Sequence, residues 1–107
     1  MSTQLKRTEE RIARVKQELL ALGPMRPGSL SRQYRLPKEK KKPFYQISYT
    51  HRMCSRSEYV RPENLHTVLT ETNTFKRFKK LINQWIALAL KASQLRSRQR
   101  TSPSSPP

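Results

Sequence analysis

The sequence predicts an α+β fold with an N-terminal helix, a three-stranded antiparallel meander and a long C-terminal helix. The two helices are expected in coiled-coil-like pairing. Two observations support this fold. Apolar residues recur at heptad spacing near both ends of the chain, and between these regions side-chain types alternate at every second residue, as they do along a β-strand. We expect one small domain over residues 1–96, with helix at 3–22, meander at 29–60 and helix at 63–95, followed by a disordered basic Ser/Pro tail at 97–107.

The N-terminal helix is predicted from a single apolar stripe. Charged residues fill most of the other positions, which is the pattern of an amphipathic helix. Gly23 and Pro24 end it, because glycine adopts the left-handed cap conformation and proline cannot continue the helical hydrogen bonds. The stripe is narrow enough to favour packing against one long partner helix, and it consists of Leu5, Ile12, Val15, Leu19 and Leu22.

The meander is predicted from three short alternating segments, at 29–36, 44–50 and 54–60, that are separated by turn residues. The second and third segments form the clearest hairpin, with its turn between Thr50 and Met53. Tyr45, Ile47 and Tyr49 share one face of the second strand. If exposed, the tyrosines would stack on bases. We interpret this face as core, because the chain has little else to cover with its helices.

The C-terminal helical region is expected to begin at Pro62 and Glu63, since proline is favoured at the first helical position and an acid in the first turn. The sequence leaves open whether residues 72–74 cap a second helix or lie within one continuous helix. From Thr74 to about Leu95 we expect a heptad seam at Phe75, Phe78, Ile82, Trp85, Ala89 and Ala92, widened by Leu81, Leu88 and Leu95. Antiparallel pairing with the first helix is the simplest arrangement, although the same seams also allow a homodimer.

The charge balance gives the strongest indication of function. The 107 residues include 23 Lys and Arg against 7 Asp and Glu, a net charge of +16. Such an excess opposes compaction by self-repulsion and is most simply explained by a polyanionic partner. Most of the excess lies after residue 22. We therefore predict a protein that faces nucleic acid, with DNA and RNA, duplex and single strand all left open.

Two cation clusters are the candidate phosphate contacts. Four lysines lie within residues 38–42, and several arginines of the meander flank them. The second cluster lies on the C-terminal helix, where no acid follows to balance it. Each cluster has a plainer explanation as a solvated surface. The predicted nucleic-acid-binding residues are Arg32, Arg35, Lys38, Lys40, Lys41, Lys42, Arg52, Arg56, Lys76, Arg77 and Lys80.

No other chemistry is indicated by the residues. His51, Cys54 and His66 do not complete a tetrahedral metal site. The chain has no aspartate for a Ser-His-Asp triad and no glycine-rich phosphate loop, so we expect no enzyme, cofactor or small-molecule substrate. One cysteine excludes an internal disulfide and fits a cytoplasmic protein. No segment is long and apolar enough for membrane insertion.

Four blocks of the chain carry a resemblance: ALGPMRPGSLSRQY at 21–34, PFYQISYT at 43–50, EYVRPENL at 58–65 and FKRFKKL at 75–81. Together they resemble a family of small bacterial proteins that is classed as a domain of unknown function, with some members in mobile-element neighbourhoods. The resemblance covers about Leu19 to Leu95. It implies a helix, hairpin and long-helix layout and a link to mobile elements, but no activity, catalytic residue or ligand. Many members look as though they carry a cysteine-rich, metal-holding stretch where this chain has only residues 35–43, without cysteine or histidine.

Two functional hypotheses follow. The first is a small basic protein that binds DNA or RNA through phosphates with little base specificity, as an accessory to a mobile genetic element. The second is a dimerising coiled-coil adaptor whose cations serve an acidic protein partner. A salt titration separates the two, because phosphate contacts release counterions when they form.

Overall fold

The structure is a computed structural model that describes residues 3–36 and 38–100, apart from the side chains of Lys41 and Arg100. Its elements follow the predicted order: α1 (Thr3–Leu20), β1 (Ser29–Leu36), β2 (Lys41–His51), β3 (Cys54–Val60), a 3₁₀ turn (Pro62–Asn64) and α2 (Leu65–Arg100). The α+β fold class is therefore confirmed. The described residues divide into two compact units: a helical unit, residues 3–22 and 78–100, and a sheet unit within Gly23–Arg77.

In the helical unit, α1 and the second part of α2 run antiparallel. A carboxylate oxygen of Glu9 lies 3.9 Å from Nε of Arg96. Further along α1, the ammonium of Lys16 lies 5.2 Å from the ring centroid of Trp85. The later residue of α1 thus contacts the earlier residue of α2, which is the pattern of an antiparallel pair. The two helices pair within one chain, as the sequence analysis expected.

The buried seam of α2 includes Ala92 as predicted but is otherwise centred one position away, since Ile82 and Ala89 are only half-buried. The three leucines that were expected only to widen the seam form its centre, and Trp85 is only partly buried. The reason is packing, because these leucines share one cluster with the stripe of α1. The buried cluster consists of Leu5, Ile12, Val15, Leu81, Leu88, Ala92 and Leu95.

Thr8 fills a core position of α1 that the sequence analysis did not identify. It is 3% exposed and lies in the heptad step between Leu5 and Ile12. Its hydroxyl donates to the carbonyl of Gln4 at 2.8 Å, one turn earlier. Because the hydroxyl is satisfied within the helix, a polar residue is tolerated in an apolar seam.

The sheet unit is built on two consecutive hairpins, which give the strand order β1-β2-β3 with antiparallel pairing throughout. The β2–β3 hairpin closes through a two-residue turn, because His51 pairs with Cys54. Gly28 precedes β1 with φ +134°, and an ideal Cβ there would lie 2.8 Å from the carbonyl oxygen of Ser48. Only glycine fits at this position before β1, because a side chain would meet both the positive φ and the nearby carbonyl oxygen.

One face of the sheet is the core face of this unit. Ile47 is 1% exposed and Val60 is buried beside it, and both line a cavity with Val68 of α2. Tyr45 and Tyr49 lie on the same face and are half-buried. The interpretation of this face as core, and not as a base-stacking platform, is therefore confirmed for its central residue.

The C-terminal helix is one continuous element. Pro62 opens a 3₁₀ turn with Glu63 in its first turn, and α2 then runs through residues 72–74 without interruption. It continues to Arg100, four residues beyond the predicted end of the folded domain at residue 96. Ser97 to Arg100 contain no proline or glycine and include good helix formers, so nothing local stops the helix there. The rest of the predicted tail, residues 101–107, lies outside the described residues.

Candidate nucleic-acid interface

The basic turn, by which we mean residues 38–42, connects β1 to β2. It is tighter than predicted, since the turn itself occupies residues 38–40 and β2 already begins at Lys41. Lys40 and Lys42 have left-handed backbones, with φ of 52° and 56°. Lys38, Lys40 and Lys42 are exposed, and the side chain of Lys41 lies outside the described residues. This turn therefore presents several ammonium groups to solvent within a few residues.

A second surface, which we call the polar sheet face, lies on the side of the sheet opposite Ile47. The cross-strand pairs place Ser29, Ser48 and Ser57 in one row, and Ser31, Gln46 and Tyr59 in the next. Its residues are mostly serine, threonine and glutamine, and none is a carboxylate. The polar sheet face consists of Ser29, Ser31, Gln33, Arg35, Phe44, Gln46, Ser48, Thr50, Ser55, Ser57 and Tyr59.

Hydroxyl groups form cross-strand pairs on this face. The Oγ atoms of Ser48 and Ser57 lie 3.2 Å apart, and the hydroxyls of Thr50 and Ser55 lie 3.3 Å apart. Each hydroxyl has one donor hydrogen and two acceptor positions, so a single pairing leaves it capacity for a further partner. Serine, threonine and glutamine are residues that contact phosphate oxygens in protein–DNA complexes. The face thus offers hydrogen-bonding groups without negative charge.

An arginine and two aromatic rings occupy the end of the polar sheet face nearest the basic turn. The guanidinium carbon of Arg35 lies 5.1 Å from the ring centroid of Phe44, within the range of a cation–π contact. Tyr59 of β3 pairs with Gln46, so it lies diagonally opposite Phe44, and it is 54% exposed. Aromatic rings of this kind stack on unpaired bases. Tyr45 and Tyr49, the two tyrosines weighed above as stacking residues, lie on the other face.

The β2–β3 hairpin extends beyond β1, because β1 begins at Ser29, opposite Ser48. We call the free end of this hairpin, residues 50–56, the ribbon; all of its residues are exposed. Its turn residues, Arg52 and Met53, both have left-handed backbones, with φ of 50° and 65°. A type I′ hairpin turn of this kind favours Asn-Gly, and the left-handed conformation costs other residues roughly 1–2 kcal/mol each.

Arg32 lies on the core face of the sheet, at its β1 edge. Its Nε and a terminal nitrogen donate to the hydroxyl of Tyr34 at 3.0 and 2.7 Å. The hydrogen bond to Tyr34, and to a smaller extent the one to Tyr45, raises the pKa of Arg32 above its ordinary value. Arg32 therefore remains a cation, but its guanidinium is oriented by tyrosines on the face opposite Arg35.

The acids of the sheet unit lie away from the polar sheet face. Glu58 is on the core face and forms an ion pair with Arg26, whose guanidinium also lies 5.5 Å from the ring centroid of Tyr49. Glu39 belongs to the basic turn, and the remaining acids, Glu63 and Glu71, belong to the 3₁₀ turn and α2. Between residues 23 and 77 the chain has twelve Lys and Arg but only these four acids.

The predicted helix cluster lies on the exposed side of α2. Lys76, Arg77 and Lys80 are all exposed, as the helical spacing indicated. Lys76 and Arg77 belong to the sheet unit and Lys80 to the helical unit. These three residues are therefore a feature of α2 and do not belong to the sheet surface.

The predicted binding residues of the meander do not form one basic flank. Arg35 and the basic turn lie at one end of the sheet, and Arg52 and Arg56 lie at the other end. Arg52 follows the far end of β2, whose 11 residues span about 33 Å at the usual rise of a strand, and Arg56 pairs with Tyr49, about 26 Å along β2 from Lys41. The polar sheet face is not among the predicted sites, although serine, threonine and glutamine recur at alternate positions of the predicted strands. Only the strand register shows that these positions share one face.

Neither a metal cluster nor a membrane helix is found where the structure describes the chain. Within residues 3–36 and 38–100, no group of three or more His, Cys, Asp or Glu could hold a metal ion. Cys54 is a free, exposed cysteine in the ribbon. In the same described ranges, no helix is long and apolar enough to cross a membrane.

Comparisons with protein-family models, with curated proteins and with solved structures found no match to this chain. The resemblance to a bacterial family of unknown function stays a prediction. The case for a function therefore rests on the residues and their arrangement.

Proposed function

We propose that the protein binds nucleic acid through backbone phosphates, with little base specificity and without enzymatic activity. The observation that carries the proposal is the polar sheet face, a carboxylate-free surface of hydroxyl and amide groups with Arg35 and the basic turn at one end. Phosphate contacts use lysine and arginine together with serine, threonine and glutamine, and they carry no sequence information by themselves.

The distribution of charge supports this proposal over a merely solvated surface. Soluble proteins usually intersperse both signs of charge on their surfaces. Even if all seven acids were paired one to one with cations, 16 cations would remain without a carboxylate. The sheet unit alone has a net charge of +8, and its acids lie elsewhere than on the polar sheet face. A phosphate backbone supplies the missing negative charge.

A salt titration tests the proposal. Fluorescence anisotropy with labelled duplex DNA and with single strands of DNA and RNA, between about 50 and 200 mM salt, gives log K against log salt. We expect a linear fall with a slope near −0.9 per phosphate neutralised for a duplex, or about −0.7 for a single strand. The comparison of ligands also decides between DNA and RNA.

A matched pair of variants tests the location of the contacts. Replacing Lys38, Lys40 and Lys42 by Gln should make the duplex slope less steep by up to about 2.7, at about 0.9 for each lost phosphate contact. The control replaces Lys6, Arg7 and Arg11 of α1 by Gln, which removes the same charge from an exposed helix surface. Equal losses in both variants would show that only net charge matters, and no binding by the unaltered protein at low salt would overturn the proposal.

A second candidate function, a dimerising adaptor, is favoured by one observation. Ile86 and Leu90 of α2 are 54% and 61% exposed and lie four residues apart, on the side of the helix away from the buried seam. An apolar pair of this kind suits a helical protein partner. Light scattering would show a dimer if a second copy is that partner, and replacing both residues by Gln should then give a monomer.

The wider biological role remains a prediction from the sequence. A link to mobile genetic elements rests on the resemblance alone, and a cytoplasmic location rests on the use of a single cysteine. The polynucleotide or protein that co-purifies with the native chain would test both functional candidates directly.

A further inference from the structure

We propose that the ribbon inserts Met53 between base pairs of duplex DNA from the minor groove and bends the duplex. This inference rests on the proposed nucleic-acid binding and adds a mechanism to it. The ribbon is the free end of the β2–β3 hairpin, residues 50–56, and Met53 lies at its tip.

The exposure of Met53 is the first observation. Its side chain is 98% exposed, more than the exposed fraction of Leu20 (80%) or Leu90 (61%). A large apolar side chain at the tip of a projecting hairpin gains nothing from the fold of its own unit. Apolar wedges at the tips of DNA-binding proteins, methionine among them, enter between base steps and partly unstack them.

The backbone of the turn is the second observation. Arg52 and Met53 both occupy the left-handed region, at φ 50° and 65°, in a turn where asparagine and glycine are preferred. Strained backbone of this kind is held in place by the surrounding pairing, here the β2–β3 ladder from Tyr45 with Val60 to His51 with Cys54. This ladder therefore holds Met53 at the tip of the ribbon in a fixed backbone conformation, as a wedge requires.

The length and charge of the ribbon suit insertion of its tip from the minor groove, which has to widen as the wedge kinks the duplex. The β2–β3 hairpin extends three residues beyond Ser48, the residue opposite the start of β1, which gives a free length of about 10 Å. This length exceeds the depth of the minor groove, about 7.5 Å. Arg52 and Arg56 supply positive charge, and the ribbon contains no acid. Because methionine cannot read base edges by hydrogen bonding, its contribution is unstacking and not sequence recognition, in agreement with low base specificity.

The test measures bending separately from binding. Ligase-mediated circularisation of a DNA fragment of about 100 bp is slow, because the fragment is shorter than the persistence length of about 150 bp. We expect the unaltered protein to accelerate circularisation, Met53→Leu to retain most of the acceleration and Met53→Ser to lose at least about 90% of it, since serine provides no wedge. Met25→Ser is the matched control, because Met25 is also exposed (40%) but lies outside the ribbon.

A turn variant provides an independent test. The double substitution Arg52→Asn and Met53→Gly supplies the residues that a type I′ turn prefers. We expect the melting temperature to rise by several degrees while the acceleration of circularisation disappears.

The outcomes separate this inference from the proposed function. Bending by Met53→Ser equal to that of the unaltered protein, or by the turn variant, would overturn the wedge. DNA binding by the unaltered protein without bending would also overturn it, although phosphate binding would stand. If the unaltered protein binds no DNA at low salt, the proposed DNA contact and the wedge are both overturned.

Discussion

Gly28→Ala is the substitution whose effect the structure specifies most closely. A Cβ at Gly28 would lie 2.8 Å from the carbonyl oxygen of Ser48, 3.0 Å from Cγ1 of Ile47 and 3.2 Å from Cβ of Tyr49. These neighbours are one backbone atom of the central strand and two side chains, one of them in the core. The nearest atom cannot move without disturbing the pairing of β1 with β2.

Two costs contribute to the destabilisation. At φ +134° an L-residue is strained by about 1–3 kcal/mol. Inserting a methyl group into a packed site adds about 1–3 kcal/mol. We therefore expect Gly28→Ala to lower the free energy of unfolding by about 2–6 kcal/mol, which for a domain of this size lowers the melting temperature by at least about 8 °C.

Gly23→Ala is the matched control for this prediction. Nothing lies within 4 Å of a Cβ at Gly23, and the residue is exposed. Its effect should stay within about 1 kcal/mol, with stabilisation expected from the smaller entropy of the unfolded chain. Urea unfolding is followed by near-ultraviolet circular dichroism in the tyrosine region, because all four tyrosines belong to the sheet unit, and Trp85 fluorescence follows the helical unit separately. Equal stability of the two variants, or a greater loss at Gly23, would refute the reasoning.

Two further predictions concern the helical core and the polar sheet face. Leu81→Ala should cost about 2–5 kcal/mol because Leu81 is fully buried, whereas Leu90→Ala, at an exposed site on the same helix, should cost less than about 1 kcal/mol. Fluorescence of Trp85, the single tryptophan, follows this unit during urea unfolding, and equal losses would contradict the buried seam. Ser57→Glu places a carboxylate in the middle row of the polar sheet face and should weaken nucleic-acid binding by about 1 kcal/mol, or roughly fivefold, in an anisotropy titration. Thr67→Glu adds the same charge at an exposed position of α2, and a larger effect there would argue against the polar sheet face as the contact surface.

The sequence alone determined the order and type of the elements. Heptad spacing in both terminal regions and alternation between them depend on local backbone geometry, so they can be read without knowing any long-range contact. Pro62 at the helix start is a local signal in the same sense, whereas α1 ends at Leu20, two residues before the predicted end, and Gly23 does not have the left-handed backbone expected of a cap. The cation surplus is likewise a property of composition, and the hypothesis of a polyanionic partner follows from it whatever the fold.

Tertiary structure decided which residues meet. The stripe of α2 is flanked by leucines on both sides, so two neighbouring seams are nearly equivalent in the sequence, and only packing against α1 selected Leu81 and Leu88. Alternation in the sequence shows which residues of one strand share a face. It does not show which residues of the neighbouring strand lie beside them, because that depends on the register. The register of β1, β2 and β3 assembled the polar sheet face and moved Arg52 to the far end of the sheet from the basic turn. It also left Met53 exposed at the tip of a free hairpin, since that position depends on where β1 begins.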